Sequence, residues 1–258
     1  MRMPRLRRGF DPETERAVAT ARQLVAQARH VVALTGAGIS TPSGIPDFRS
    51  PSSGLWMMED PMDVASIWAF RRRPEAFFEW VRPLADAILM ARPNPAHVAL
   101  AHAERMGKLR AIVTQNIDDL HGRAGSSQVL ELHGHLREAT CIRCFRIVPG
   151  AVALERFMQT GTPPHCGCGG VLKPNVILFG EMLPQDILVR AQEQARAADL
   201  MIVVGSSLEV APASDLPLLA VETGARLVIV NYDPTPLDAE ADVVIRDDVA
   251  RVLPYLFK

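Results

Sequence analysis

Short apolar runs rich in β-branched residues recur along the chain, at His30–Leu34, Ala111–Thr114, Val129–Leu132, Val176–Phe179, Leu200–Val204, Leu227–Val230 and Val243–Ile245. Runs of this length, apolar at successive positions, predict strands covered on both faces. Between several of them the period changes to a helical one. Asp11-Pro12-Glu13 reads as a helix start with Val18, Leu24, Val25 and Ala28 on one face, Asn94-Pro95 opens a helix running to Met106, Pro184 opens one running to Ala197, and Ala213–Glu222 forms another. Strands alternating with helices predict an α/β fold, a parallel sheet with helices on both faces.

Two stretches break the rhythm. Residues 41–92 hold no strand-like run but carry Trp56, Trp68, Phe70, Phe77, Phe78 and Trp80, as expected of a small helical insertion with its own apolar contacts. Residues 137–173 contain the chain's four cysteines and few large apolar side chains, the pattern of a module held by metal rather than by a core.

Composition narrows the partners. A chain of 258 residues with net charge -1 offers no basic surface to recommend nucleic acid or membrane as a partner, and the arginines at 2, 5, 7 and 8 read as a flexible, solvated terminus over residues 1–10. No apolar run approaches the ~18 residues of a membrane span, and no signal-peptide core follows the basic start. A soluble, cytoplasmic protein is expected. In that setting the close pairs Cys141/Cys144 and Cys166/Cys168 point to a thiolate metal site, zinc by default, rather than to disulfides.

The chemistry-bearing residues sit at strand ends. Leu34–Ser50 (LTGAGISTPSGIPDFRS) follows the first strand, and Gly36 and Gly38 would let backbone N–H groups approach a pyrophosphate. The position of the third glycine of a dinucleotide fingerprint is Thr41, so a plain loop is the alternative. The prolines and Gly44 carry the chain onward as a loop presenting Asp47, Phe48 and Arg49. Gln115, Asn116, Ile117 and Asp118 follow the next strand, where they face a ligand crevice or cap a helix. Glu131-Leu132-His133-Gly134 ends another, and His133 suits a general base; a surface histidine, or a His133/His135 metal pair, is the alternative. Gly205, Ser206 and Ser207, then Asn231 and Tyr232, close two further strands where phosphates, ribose and adenine could be held.

Taken together, GAGIS at Gly36–Ser40, SGIPDFR at Ser43–Arg49, TQNID at Thr114–Asp118 with Leu120-His121 behind it, ELHG at Glu131–Gly134, the paired cysteines, FGE at Phe179–Glu181, GSSLEV at Gly205–Val210 and a strand ending in Asn231 resemble the sirtuin family. The resemblance runs in order from about Asp11 to Lys258. It implies a single catalytic domain, 11–258. A Rossmann-like part would span 11–40, 93–136 and 174–258, with a helical module at 41–92 and a zinc module at 137–173. It implies NAD-dependent removal of acetyl or other acyl groups from protein lysines, giving nicotinamide, free lysine and 2'-O-acyl-ADP-ribose. By position, Gly36, Ala37, Gly38, Ile39 and Ser40 would contact pyrophosphate and ribose, and Asp47, Phe48 and Arg49 would form the cofactor loop. Gln115, Asn116, Ile117 and Asp118 would surround the nicotinamide ribose and carboxamide. Gly205, Ser206, Ser207, Asn231, Tyr232 and Val249 would hold the adenosine side. His133 matches the catalytic base, assisted by Asn116 and Asp118.

Acyl-lysine peptide, the implied partner, would lie as an added strand between Gly180-Glu181 and Leu208-Glu209-Val210, with Ile177, Phe179 and Phe48 as candidates for the wall of a tunnel for the lysine and a core place as the alternative for Ile177. Structural Zn2+ would take Cys141, Cys144, Cys166 and Cys168. The family's second pair has two intervening residues and this chain has one, so His165 in place of Cys166 stays open. Sirtuins that take succinyl groups resemble one another in a Tyr-x-x-Arg pair; here the matching positions are near Val81 and Leu84, which predicts poor desuccinylation. Mono-ADP-ribosyl transfer or NAD hydrolysis at the same site, and a non-catalytic NAD-sensing module, are the competing functions. The sequence leaves protein targets and oligomeric state open.

Overall fold

The computed structural model describes residues 9–47 and 60–258. Phe48, Arg49, Trp56 and the first eight positions lie outside them. The strands are β1 (Val31–Thr35), β2 (Leu109–Thr114), β3 (Val129–Glu131), β4 (Gly134–Cys141), β5 (Ile147–Pro149), β6 (Leu172–Val176), β7 (Leu200–Val204), β8 (Arg226–Val230) and β9 (Val243–Ile245). The helices are α1 (Pro12–Gln27), α2 (Pro61–Val64), α3 (Ile67–Arg72), α4 (Pro74–Met90), α5 (Pro95–Arg105), α6 (Leu120–Ala124), α7 (Gly150–Thr160), α8 (Gln185–Ala197), α9 (Asp215–Glu222) and α10 (Val249–Leu256).

Six strands form a parallel sheet in the order β3-β2-β1-β7-β8-β9. Its central strands are buried at every position, which is why they read as unbroken apolar runs. Alternate residues still serve opposite faces. Val31 and Ala33 pack with α1, α5 and α10 on one side, and Val32 and Leu34 pack with α8 and α9 on the other. The helix starts follow local chemistry: the Asp11 side chain accepts N–H bonds from Glu13 and Thr14, and Asn94 and His97 cap α5 reciprocally.

Two readings of the sequence change here. The apolar run at Val176–Phe179 is not a strand of the parallel sheet. Val176 ends β6, which pairs antiparallel with β4 in a separate three-stranded sheet, β5-β4-β6, while Ile177–Phe179 leaves it. A short apolar run cannot say which sheet will receive it. The cysteine-bearing stretch also has a core of its own, since Ala139, Ala153 and Leu172 pack with Cys141 and Cys166, and Phe157 joins Phe70, Phe77 and Phe78 of the helical region. The C-terminal segment, to which no element was assigned from the sequence, forms α10.

Candidate functional site

The strand order reverses at β1, whose neighbours β2 and β7 leave it in opposite directions along the sheet. Connections after such strands diverge and open a crevice beyond their carboxyl ends. A cavity of about 790 Å³ opens there, lined among others by Gly36, Ala37, Gly38, Ser40, Asp47, Gln115, Asn116, Ile117, Asp118, His133, Gly205, Ser206, Ser207 and Asn231.

The turn after β1 is locked to the turn after β7. Gly36 N–H donates to the Val204 carbonyl at 3.1 Å and Gly38 N–H to the Gly205 carbonyl at 2.8 Å. These two donors are therefore taken by protein. The glycines are there because the turns touch: a Cβ on Gly36 would lie 2.7 Å from the Gly205 oxygen, and one on Gly38 2.8 Å from the Gly205 Cα.

A polar network crosses the crevice floor. The Asn116 side-chain amide donates to the Gly36 carbonyl and to Ser40 Oγ, both at 3.1 Å. Ser40 Oγ donates to Asp118 Oδ2 at 2.7 Å, and the other Asp118 oxygen accepts Leu120 N–H at 2.9 Å. Gln115 Nε2 reaches Ser206 Oγ at 2.9 Å and ties the β2 end to the β7 end. Asp118 is buried, and desolvation raises its pKa, partly opposed by the hydrogen bond from Ser40. With both amide hydrogens committed, Asn116 has its Oδ1 acceptor left for a ligand.

His133 sits where the chain crosses from the parallel sheet into the small one, between β3 and β4. Its Nδ1 lies 3.0 Å from the Gln115 carbonyl. A carbonyl only accepts, so the neutral ring carries its proton on Nδ1 and keeps the Nε2 lone pair for the crevice. Burial lowers the pKa, partly opposed by the Gln115 bond, so the ring is neutral near pH 7. Gly134 is not an opening beside it. With φ +74, its Cβ would come 2.1 Å from the Asn175 carbonyl of β6; the same crossing lets Ile177 N–H donate to the His133 carbonyl at 2.9 Å.

Behind the floor lies a support that the sequence reading passed over. Buried Thr35 Oγ1 donates to Thr114 Oγ1 at 2.8 Å and meets His121 Nε2 at 2.9 Å, and Thr114 Oγ1 accepts the Asn116 backbone N–H at 3.1 Å. The His121 ring stands 4.9 Å from that of His97, and burial lowers the pKa of both, that of His97 to about 4. A threonine ending a wholly buried strand was the available signal, because a buried hydroxyl needs a partner.

Other expected residues scatter. Ile39, Leu208 and Val249 bury their side chains in the core, Val249 as the first residue of α10, and none of these three lines the cavity. Tyr232 is 61% exposed and also lies off the cavity wall. Ile177, Phe179, Gly180, Glu181, Glu209 and Val210 do line it. Glu181 shapes the loop around Gly180, because one of its oxygens accepts both Lys173 Nζ and Leu178 N–H, each at 2.9 Å. Val81 and Leu84 also face the cavity, and none of the described residues lining it is Lys or Arg.

Some distance along the small sheet, the sulfurs of Cys141, Cys144, Cys166 and Cys168 lie within 4.8 Å of one another, with Cys141–Cys168 at 3.5 Å and Cys144–Cys166 at 3.8 Å. A tetrahedral zinc with bonds of about 2.3 Å requires sulfur separations of about 3.8 Å, so this all-thiolate set fits Zn2+. His165 is exposed and is not a member of the cluster; its backbone bridges Val171 instead.

Comparison with known proteins agrees with this geometry. The model of the Sir2 family matches residues 36–212. An NAD-dependent protein deacetylase of Sulfurisphaera tokodaii is 47% identical over 231 residues, 90% of this chain and 91% of that protein. A solved Sir2 complex with deacetylated p53 peptide and 3'-O-acetyl ADP ribose superposes with a TM-score of 0.88, at 42% identity, covering 93% of this chain and 96% of the other. A Sir2–p53 peptide–NAD+ complex gives 0.82 at 43% identity, covering 90% and 93%.

Proposed function

This chain belongs to the Sir2 family, and from that premise we infer that its crevice removes acyl groups from protein lysines with consumption of NAD. It is an NAD-dependent protein deacetylase, with structural zinc on the four cysteines. NAD bound beyond β1, β2 and β7 supplies an electrophilic ribose carbon and a nicotinamide leaving group.

The residues divide the remaining work. Ser206 and Ser207 lie at the β7 end beside the Gly36–Ser40 turn and offer hydroxyls toward the phosphates and ribose. Asn116, with its amide hydrogens held by Gly36 and Ser40, presents Oδ1 to a ribose hydroxyl or to an ordered water. Asp118 keeps Ser40 and the start of α6 in place beside the carboxamide end. His133 takes a ribose hydroxyl proton at Nε2, which frees that oxygen to receive the acyl group. The substrate segment lies between Gly180-Glu181 and Glu209-Val210, with its lysine directed past Ile177 toward His133. A cytoplasmic location belongs to the same proposal, since unpaired cysteines holding a metal suit a reducing compartment.

The observation that carries the assignment of the base is the Nδ1 contact of a half-buried, neutral His133 to the Gln115 carbonyl. The test is incubation with NAD and an acetyl-lysine peptide, following nicotinamide, free lysine and acyl-ADP-ribose. His133→Ala should lose at least a hundredfold in turnover while NAD still binds by calorimetry. Undiminished turnover in that variant rejects His133 as the base; nicotinamide release independent of peptide indicates NAD hydrolysis instead.

A further inference from the structure

One large aromatic side chain beside the site has no structural explanation. Trp68, the second residue of α3, is 58% exposed although α3 and α4 bury Phe70, Phe77 and Phe78 beneath it. Its indole lies against Gly180, occupying the place of the missing side chain: a Cβ there would stand 2.3 Å from Trp68 Cη2 and 2.5 Å from Cζ3. Gly180 in turn lines the mouth of the cavity. The indole thus stands directly behind the groove wall, and a glycine is all that separates them.

The position is rigid. Ile67 N–H donates to the Phe179 carbonyl and Phe179 N–H to the Ala65 carbonyl, each at 3.0 Å, so the backbone that carries Trp68 is bridged to the backbone that carries Gly180. Phe179 uses both of these main-chain groups toward 65–67, and pairing with a substrate strand on this side therefore falls to Gly180. Met182, 76% exposed, and Phe179 continue the apolar surface along the cavity mouth.

We propose that Trp68 is a specificity-determining residue that receives an apolar side chain of the substrate protein flanking the acyl-lysine. This rests on the acyl-lysine reading above. In an extended substrate, side chains alternate in direction. When the acyl-lysine enters the cavity, a side chain of opposite sense next to it passes over Gly180, where no side chain stands in the way, and meets the indole face. A large rigid aromatic contributes binding energy there at small entropic cost, as buried Trp anchors do at protein interfaces. The contact is formed in substrate binding and equally in the transition state, so it acts on KM and leaves kcat unchanged.

The test uses the whole chain loaded with zinc, NAD, and a set of acetyl-lysine peptides in which each flanking position in turn carries Leu or Phe in an otherwise Gly/Ser background. For the best position the wild-type KM should be at least five-fold lower than for the all-Gly/Ser peptide. Trp68→Ala should abolish that difference while kcat and the KM of the Gly/Ser peptide stay within two-fold; Trp68→Phe should restore at least half of the preference. Should Trp68→Ala fail to fold, the quenching of tryptophan fluorescence by the Leu peptide in wild type, absent in Trp68→Phe, reads the same contact. A wild-type enzyme indifferent to flanking residues, or a Trp68→Ala variant with its preference intact, overturns the proposal. Failure of every acetyl peptide to react would instead defeat the acyl-lysine reading itself.

Discussion

Replacing Gly205 by alanine tests whether the crevice is built by two turns in contact. Gly205 has φ +60, and a Cβ there would lie 2.3 Å from Ile39 N and 2.4 Å from the Gly38 carbonyl carbon. Two costs follow. The left-handed conformation costs a non-glycine residue about 1–2 kcal/mol. Forcing a methyl into backbone that cannot yield costs about 1–3 kcal/mol more. Gly224 supplies the control, since its φ is +98 and nothing stands within 4 Å of a Cβ, so Gly224→Ala carries the first cost alone. At about 2–4 °C per kcal/mol for a domain of this size, Gly205→Ala should melt ~4–20 °C below wild type and Gly224→Ala ~2–8 °C below it. The second readout separates them more sharply. Moving Gly38 away from Gly205 displaces the turn carrying Ser40, so NAD affinity measured by calorimetry should fall at least ten-fold in Gly205→Ala and stay within two-fold in Gly224→Ala. Equal melting temperatures and equal NAD affinities in the two variants would refute the packing argument.

Four further outcomes are expected. If His133 is the base it works only when neutral, and burial holds its pKa below the ordinary histidine range, so the acid limb of kcat/KM should lie below that of an ordinary histidine; a half-maximum above pH 7 contradicts this. The cavity wall lacks Lys and Arg among the described residues, so a succinyl-lysine peptide should react at least a hundredfold more slowly than its acetyl counterpart, and comparable rates in a mass-spectrometric assay would overturn the inference. Cys166→Ser should release zinc and lower the melting temperature while His165→Ala retains one zinc per chain by elemental analysis; the reverse pattern would move the ligand assignment to His165. Buried His97 ionises at about 4 in the folded chain against 6.5 unfolded, so acidification through that window protonates the unfolded state first and removes roughly 3 kcal/mol of stability. The urea midpoint should fall from pH 7 to pH 4.5, and fall less in His97→Gln; an equal drop in both would exclude His97 as its source.

Particular residues mark where sequence reading succeeds and where it stops. Gly36, Ala37, Gly38, Ser40, Asn116, Asp118, His133 and Ser206 were legible as cavity-lining residues because each lies just beyond a strand end, and the α/β alternation brings strand ends to one crevice. Ile39, Leu208 and Val249 were named with them, yet their side chains turn into the core. Adjacency in a motif says nothing about which way a side chain points. Gly36 and Gly38 were legible as a tight turn, although their N–H groups answer to Val204 and Gly205.

The sequence by itself determined the parallel sheet, the helix starts at Asp11 and Asn94 and the cysteine cluster, because each rests on local periodicity, capping or spacing, while the residues named around the crevice rest on their places at strand ends and on the resemblance to the sirtuin motifs. Only the tertiary structure decided which sheet the Val176–Phe179 run joins, that Glu181 answers to Lys173, that Thr35 and His121 brace the Asn116 loop, and that Trp68 stands behind Gly180. Those facts depend on segments distant in the chain meeting in space. Burial then sets both the partner a polar group must find and the surface an aromatic ring can offer.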